Sequence, residues 1–263
     1  MKQLIAQALV PNRPAGRTVA LGIVALWVAA AFAAWALSPF ASLPTPLEVW
    51  QALGTLWWRD GMGPELFTTV KLILHAIVLT VVVSMLLAYA TVVAALRPLV
   101  AAAAKLRFLG LTGLVFPFTL VTGGGYSLKV ALLTFGMTTF FVTSMAQVVV
   151  EIPREQFDHL RVLGAGEGRI VWEVVVLGTA DRALDVLRQN AAIGWAMITM
   201  VEGISRSEGG IGALILNQNK HFHLAEVYAI LIVVLVIGLL MDWGMGALTD
   251  ALCPYARIER VRR

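Results

Sequence analysis

The chain has 263 residues, of which 59% are hydrophobic and only 14% are charged. Soluble domains usually carry about 45–50% apolar and about 25% charged residues, so this composition excludes an ordinary soluble domain and indicates a membrane protein. The formal charge of +4 does not indicate nucleic-acid binding, because the positive residues cluster at the ends of apolar runs, where they act as topology signals. The single cysteine, Cys253, excludes an internal disulfide bond.

Apolar runs that can cross a bilayer recur along the chain. A span needs about 20 apolar residues, and Val19–Leu37 meets this length, so we expect a retained span rather than a cleaved signal peptide. An extended proline-rich loop follows, and Thr45–Trp58 is predicted to be a short amphipathic helix capped by Thr45. Further candidate spans are Phe67–Leu96, Phe108–Thr122 (interrupted by Pro117), Lys129–Val150, Asn190–Val201 and Ala225–Leu240.

Charge asymmetry orients these runs. The N-terminal tail, the Arg97–Arg107 loop and the C-terminal tail are basic, whereas the Pro39–Glu65 loop is acidic. Because cytoplasmic loops carry the excess of Lys and Arg, we expect about six spans with both termini in the cytoplasm. By its length, the Asn190–Val201 run is equally compatible with a buried helix. Six spans agrees best with the charge distribution, because five would place the basic C-terminal tail outside.

One long polar segment, residues 151–188, interrupts the apolar pattern. It contains a predicted rigid helix at about Arg154–Leu163, then a glycine-spaced corner at Gly164–Gly168, and it continues directly into a span. Span parity places it in the cytoplasm, where we interpret it as a docking element for a soluble partner; the alternative is an ordinary solvated loop. The corner lacks the GxxxxGK[ST] spacing of a phosphate loop, so we expect no nucleotide binding by this chain.

The polar segment resembles the cytoplasmic EAA loop of permease subunits of binding-protein-dependent ABC importers. That pattern is Glu-Ala-Ala, three residues, Gly, nine residues and then Ile-x-Leu-Pro. Here it aligns on Asp158-His159-Leu160, then Gly164, then Val174-x-Val176-Leu177. Both alanines are replaced, and Leu177 stands where the family has its closing proline.

Three other segments resemble the nitrate, sulfonate, taurine and bicarbonate branch of these permeases. Leu43–Trp50 resembles its LPsPxxV entry, Trp195–Gly212 its "aE…GlG" segment and Gly238–Tyr255 its "GlllD…pW" ending. The segments occur in the same order as in that branch, and the resemblance covers residues 43–255.

The resemblance implies an all-α membrane protein with the type I ABC importer permease fold, in which residues 1–263 form one permease domain with a cytoplasmic coupling helix. It also implies a bacterial inner-membrane location, a second permease subunit, a pair of ATP-binding subunits and an extracytoplasmic solute-binding protein. ATP and Mg²⁺ would bind to the ATPase, and this chain would carry no cofactor, metal or catalytic centre. The residues implied to contact the ATPase are Arg154, Glu155, Asp158, Leu160, Leu163, Gly164, Ala165, Gly166 and Gly168.

Ionisable residues near the predicted spans are candidates for the solute pathway. Glu202 lies near the outer end of the fifth candidate span, where a pathway role and a helix-end structural role are both compatible with the sequence. Lys71 and Lys129 are expected near the outer interface with their side chains reaching water, where they would attract an anionic solute. The resemblance implies a small organic or inorganic anion, such as a sulfonate, nitrate or related compound, or a vitamin-like heterocycle, and it does not distinguish between them.

Other charged and metal-ligating residues have simpler interpretations. Asp181 and Asp185 are explained by salt bridges to Arg182 or Arg188. The His221-x-His223 pair has no convincing third ligand nearby, so we predict no metal site.

Two other function classes remain open at this point. An ATP-independent secondary transporter would show internal repeats or paired broken helices, and no clear repeat is visible. An integral membrane enzyme would need a cluster of histidine, aspartate or nucleophile side chains, whereas the candidates here are scattered along the chain.

Overall fold

The computed structural model describes residues 16–40, 43–59 and 61–254. Residues 1–15 and 255–263, which carry most of the basic charge of the two tails, lie outside these residues, as does Asp60. Within the described part the chain is helical and contains no strand. Its α-helices are α1 (Arg17–Ala36), α2 (Pro46–Trp58), α3 (Met62–Ala90), α4 (Arg97–Lys105), α5 (Leu111–Thr122), α6 (Gly125–Val150), α7 (Arg154–Val162), α8 (Glu167–Ile170), α9 (Ala180–Ile204), α10 (Ile211–Lys220) and α11 (Leu224–Leu252).

Among the described residues, four helices are long and apolar enough to cross a membrane: α1, α3, α6 and α11. A fifth span is formed if the bent pair Ala94–Phe108 and Leu111–Thr122 is counted as one. The predicted Asn190–Val201 run lies inside α9, which has 25 residues but falls outside this apolar set. Its Asn190 side chain is buried and donates a hydrogen bond of 3.2 Å to the carbonyl of Met137 on α6. The polar side chain of Asn190 on α9 is therefore directed towards protein.

The N-terminal region confirms the predicted amphipathic helix. Thr45 accepts a hydrogen bond from the Glu48 amide, and the Glu48 carboxylate accepts one from the Thr45 amide, which together form a capping box. Pro46 occupies the first turn, where its missing N–H needs no partner. Trp35 at the end of α1 donates a hydrogen bond of 2.9 Å to the carbonyl of Pro44 and fixes the connection to α2.

The bounds of α3 and the bend before α5 differ from the sequence-based prediction. The helix begins at Met62, earlier than the predicted Phe67, and ends at Ala90 rather than at Leu96. Arg97 donates a hydrogen bond of 2.9 Å to the carbonyl of Thr91 in the turn that follows, so the arginine helps to terminate the helix. Pro117 lies within continuous α5, and the 115° bend falls before Leu111 instead.

The core is formed where α3, α6 and α9 meet. Leu72 and Ile73 on α3 pack with Leu133 and Met137 on α6 in one buried cluster. Gly194 on α9 permits this approach, because a Cβ atom there would lie 2.5 Å from the Met137 sulfur. α10 packs between α9 and α11 at the end of the bundle opposite to residues 151–179, and it also contacts α3. This arrangement brings residues that are distant in sequence into the polar cluster described below.

Candidate functional site

The segment between α6 and α9 projects an exposed helix, α7. None of its nine residues, all of which the structure describes, is buried. Polar side chains dominate the helix, yet its C-terminal end presents two apolar side chains, Val162 (86% exposed) and Leu163 (68% exposed). Exposed apolar side chains at the tip of a polar projection are suited to contact with another protein.

A glycine turn ends α7 abruptly. The Ala165 amide donates a hydrogen bond to the Leu160 carbonyl (3.0 Å) and the Gly164 amide donates one to the Arg161 carbonyl (2.9 Å), which is the pattern of a Schellman motif. Gly164 has φ +78°, in the left-handed region that favours glycine. Gly166 has φ −73° and precedes the first residue of α8, so it needs no such freedom. The predicted corner is confirmed, and its geometry depends on Gly164.

Arg161 holds the two sides of this corner together. Its guanidinium donates hydrogen bonds to Glu167 on α8 at 2.9 and 3.2 Å, and another to Asp158 on α7 at 3.0 Å. These interactions raise the pKa of Arg161, and the hydrogen bonds from Arg161 lower the pKa of the Glu167 carboxyl below its ordinary range. The corner is thus fixed by a charged clamp at the surface as well as by the glycine.

The chain leaves the corner through a π-helical segment at Val171–Leu177. Leu177, which replaces the family's closing proline, ends this segment, and Gly178 follows it. A Cβ atom on Gly178 would collide with the carbonyl of Val174, so only glycine fits without a shift of the backbone. The π-helical segment and Gly178 therefore interrupt the helix before α9, close to the position where the family has its proline.

The residues implied to contact an ATPase lie along one continuous projection. Arg154 and Asp158 line a cleft of about 690 Å³ beneath α7, together with Arg97, Phe157 and Glu167. Leu160 and Ala165 are half-buried, and the others are exposed: Glu155, Leu163, Gly164, Gly166 and Gly168. The structure brings these residues together on this projection.

A second polar cluster lies at the opposite end of the helices and is centred on Glu202, whose side chain is fully buried. One carboxylate oxygen accepts a hydrogen bond from the Thr69 hydroxyl on α3 (2.7 Å), and the other accepts one from the Gly212 amide (2.8 Å). The Thr69 hydroxyl in turn accepts a hydrogen bond from the Ile211 amide (2.9 Å). Glu202 thus joins three helices and caps α10, which agrees with the helix-end role that the sequence left open.

The same cluster contains Glu65 and Lys129. The Glu65 carboxylate accepts a hydrogen bond from the Gly210 amide, and the Lys129 ammonium donates one of 2.8 Å to the Gly209 carbonyl. The prediction that the Lys129 side chain reaches water is wrong, because that residue is only 1% exposed. Lys129 lies on α6 where α3, α9 and the start of α10 converge, and the nearby carboxylates provide its counter-charge.

Lys71, the other lysine predicted at the interface, is exposed as expected. Its ammonium group lies 5.7 Å from the centre of the Tyr126 ring, and the Tyr126 hydroxyl is 3.3 Å from His75 Nδ1. Lys71 is therefore not part of the buried cluster, and the two lysines have different surroundings.

Glu65 and Thr69 were not predicted to belong to the cluster around Glu202. The two side chains lie one turn apart at the start of α3. A carboxylate and a hydroxyl four residues apart, at the beginning of an apolar run, were the sequence signal that could have identified them.

For His221 and His223, the structure shows hydrogen bonds from Nδ1 to the Asn217 carbonyl and the Gln218 side chain. Across the described ranges, no three potential ligands gather in a group that could hold a metal ion.

In sequence, the chain is similar to ABC transporter permeases. The taurine transport permease TauC of Escherichia coli is 23% identical over 133 residues, which are 51% of this chain and 48% of TauC. A probable ABC transporter permease of Brucella melitensis is 24% identical over 235 residues, covering 86% of this chain and 94% of that protein. The match therefore spans about half of TauC and nearly all of the Brucella relative. No protein-family model matches the chain.

The fold is also similar to a chain of the methionine ABC transporter MetNI, solved in inward-facing conformations. The TM-score is 0.58 at 16% sequence identity, and the match covers 75% of this chain and 97% of that chain. Together with the helical architecture, this similarity shows the fold that the sequence led us to expect. The chain is a multi-pass membrane protein related to ABC transporter permeases, and it has the type I importer permease fold.

Proposed function

We propose that this chain is the membrane-spanning subunit of an ABC importer and that it couples to a separate ATP-binding subunit through α7 and the following corner. The observation that carries the proposal is the projection between α6 and α9, which ends in exposed Val162 and Leu163. Its corner is fixed by the Schellman turn and the Arg161 clamp, so a force on α7 is transmitted to α9 rather than absorbed by a flexible loop.

The complete transporter contains two permease subunits, two ATP-binding subunits and an extracytoplasmic binding protein that delivers a small solute. ATP and Mg²⁺ bind to the ATPase, and closure of the ATPase pair moves the coupling helices and switches the pathway between its two faces. TauC and MetNI are named for taurine and methionine, which supports a small organic solute for this chain too. The bundle lies in a bacterial inner membrane with both chain termini and the α7 projection in the cytoplasm.

Lys71 and Glu202 have different places in this proposal. Lys71 is exposed near the start of α3 and is available to attract an anionic group. Glu202 and Lys129 hold α10 against its neighbours, so they shape the outer part of the pathway through structure rather than by direct contact with the solute.

Co-purification tests this function directly. The tagged chain is extracted from its native membrane in mild detergent, and the proteins retained with it are identified by mass spectrometry. An ATP-binding subunit should be retained by the wild type and lost from the double variant V162E/L163E. A matched control, F222E, changes a similarly exposed apolar side chain (83%) outside this projection and should retain the ATPase. Recovery of the chain alone, with solute flux in liposomes that lack ATP, would instead establish a secondary transporter.

A further inference from the structure

A cleft between α9 and α11 is not used by the coupling contact. Two contiguous cavities of about 410 and 430 Å³ share Arg188, Ala192 and Asp242. The cavity size lies within the range of about 300–1,000 Å³ that is typical of small-molecule sites. Charged and amide side chains line one end of the cleft (Asp185, Arg188, Gln189, Asp242), and apolar side chains line the other (Trp195, Leu231, Leu235, Leu239).

A bidentate ion pair lies at the junction of these two ends. Arg188 Nε donates a hydrogen bond to Asp242 Oδ1 at 2.6 Å, and Nη2 donates one to Oδ2 at 2.5 Å. Asp242 precedes the end of α11 at Leu252 by ten residues, which places it about 15 Å into this spanning helix at 1.5 Å per residue. Asp181 and Asp185 on the same segment were the partners predicted for Arg188, whereas both of these bonds reach across to α11.

Two glycines on α11 shape the cleft around this pair. Gly246, one turn after Asp242, leaves room for the guanidinium, because a Cβ atom there would lie 3.3 Å from Arg188 Nη1. Gly238, one turn before Asp242, lies against the Trp195 indole, which a Cβ atom would approach to 2.8 Å. Trp195 Nε1 is fixed by a hydrogen bond of 2.9 Å to the Val234 carbonyl. The residues along both sides of the cleft are therefore held in place.

The pair cannot face lipid chains at low cost. The side chains of Arg188 and Asp242 are 36% and 44% exposed, and charged groups at membrane depth face protein or a water-filled cavity. Of these two surroundings, the open polar end of the cleft favours water.

We propose that this cleft faces the solute pathway and that the Arg188–Asp242 pair opens to hold a small zwitterionic organic solute. The anionic group of the solute pairs with Arg188, its cationic group pairs with Asp242, and its short apolar body lies towards Trp195. This assignment rests on the proposed permease function and narrows its solute class.

The charges around the pair favour a zwitterion over a simple anion. Arg188 and Asp242 are each other's partners in the bidentate pair. A simple anion would displace Asp242 and leave that carboxylate without its partner, and a simple cation would leave Arg188 without its partner. A zwitterion replaces both partners at once and leaves no charge unpaired. Competition from the internal ion pair also keeps binding weak enough for the solute to leave.

Cysteine accessibility tests the site without knowledge of the natural solute. Cys253, the single cysteine, is replaced by serine, and Ala192→Cys is introduced into the cleft. The chain is purified with its ATPase, placed in lipid nanodiscs and exposed to a membrane-impermeant sulfonatoethyl methanethiosulfonate. Ala192→Cys should be modified, whereas Leu26→Cys on the exposed apolar surface of α1 should not.

Protection by three matched probes then tests the chemistry. 4-Aminobutyrate, butyrate and butylamine are compared at equal concentration, and we expect only the zwitterion to slow modification, by about fivefold, equivalent to about 1 kcal/mol. R188Q should abolish this protection, and the swapped variant R188D/D242R, which keeps an ion pair, should retain it. The swapped variant keeps the test decisive if R188Q does not fold.

Two outcomes would overturn the zwitterion site and leave the permease function intact. An unreactive Ala192→Cys in a complex that still contains the ATPase would show that lipid or another subunit seals the cleft. Protection by butyrate equal to that by 4-aminobutyrate, or no protection by any probe, would exclude a zwitterion site. Absence of the ATPase from the wild-type preparation would refute the proposed function itself.

Discussion

Lys129 donates a hydrogen bond of 2.8 Å to the carbonyl of Gly209, a residue eighty positions further along the chain. This contact, with those of Glu65, Thr69 and Glu202, fixes the first turn of α10 against α3, α6 and α9. The helix start is therefore held by charged side chains from three other elements, of which Lys129 and Glu202 are buried. Its stability should depend on each of them.

Lys129→Met should strongly destabilise the protein. Methionine preserves much of the apolar stem but leaves the Gly209 carbonyl unpaired and removes the positive charge beside Glu65 and Glu202. Leaving a buried hydrogen-bond acceptor without its donor typically costs about 1–3 kcal/mol, and more where charged groups are affected. Lys71→Met, on the exposed side of α3, should change stability by no more than about 0.5 kcal/mol. Thermal unfolding of both variants in detergent is the measurement, and equal effects would contradict the buried cluster.

Gly212→Ala should separate α10 from α9. A Cβ atom at this position would collide with the Thr199 carbonyl, and the Gly212 amide is also a donor to Glu202. Gly54→Ala on α2 is the control, because a Cβ atom there meets no described atom within 4 Å. Alanine is favoured over glycine inside a helix by about 0.5–1 kcal/mol, so this control should be neutral or stabilising. A Tm for G212A at or above the wild-type value would show that the close approach is not required.

Gly164→Ala and Gly166→Ala should differ although only one residue separates them. Gly164 has φ +78°, where an L-residue costs about 1–2 kcal/mol, whereas Gly166 has φ −73° and open space around it among the described residues. We expect Gly164→Ala to lower retention of the ATP-binding partner several-fold and Gly166→Ala to leave it unchanged. Quantitative immunoblotting of the purified complexes measures this difference. Equal retention would show that corner geometry does not control the contact.

Acidification should loosen the corner in the wild type, and loss of Arg161 should abolish this pH dependence. Arg161 lowers the pKa of Glu167 in the folded chain, so the clamp is fully formed above the ordinary glutamate range and is lost as pH falls through the lowered value. In R161A the clamp is absent at every pH, so the corner should already be loose at neutral pH. Distances between spin labels at Gln156 and Arg169, recorded across the acidic range, should change in the wild type and stay constant in R161A. The same pH-dependent change in both proteins would contradict the role of the clamp.

A fair part of the fold follows from local sequence patterns. Thr45, Pro46 and Glu48 identify the start of α2, and the polar run with Gly164 identifies α7 and its corner, because caps and glycine turns act over a few residues. The burial of Lys129 was not predictable in this way, since its carbonyl partner lies eighty residues away. Arg188 and Asp242, 54 residues apart, meet only because α9 and α11 pack together. Hydropathy locates apolar helices but does not say which charged side chain finds a partner inside them.

The most direct test of the coupling account is a site-specific cross-link from Leu163. A photoreactive benzoylphenylalanine is placed at Leu163 or at Phe222, both exposed apolar positions, and the chain is irradiated in its native membrane. We predict that Leu163 captures an ATP-binding subunit and that Phe222 does not. Failure of Leu163 to capture that subunit, in membranes where the ATPase is shown to be present, would contradict the proposal that this corner couples ATP hydrolysis to transport.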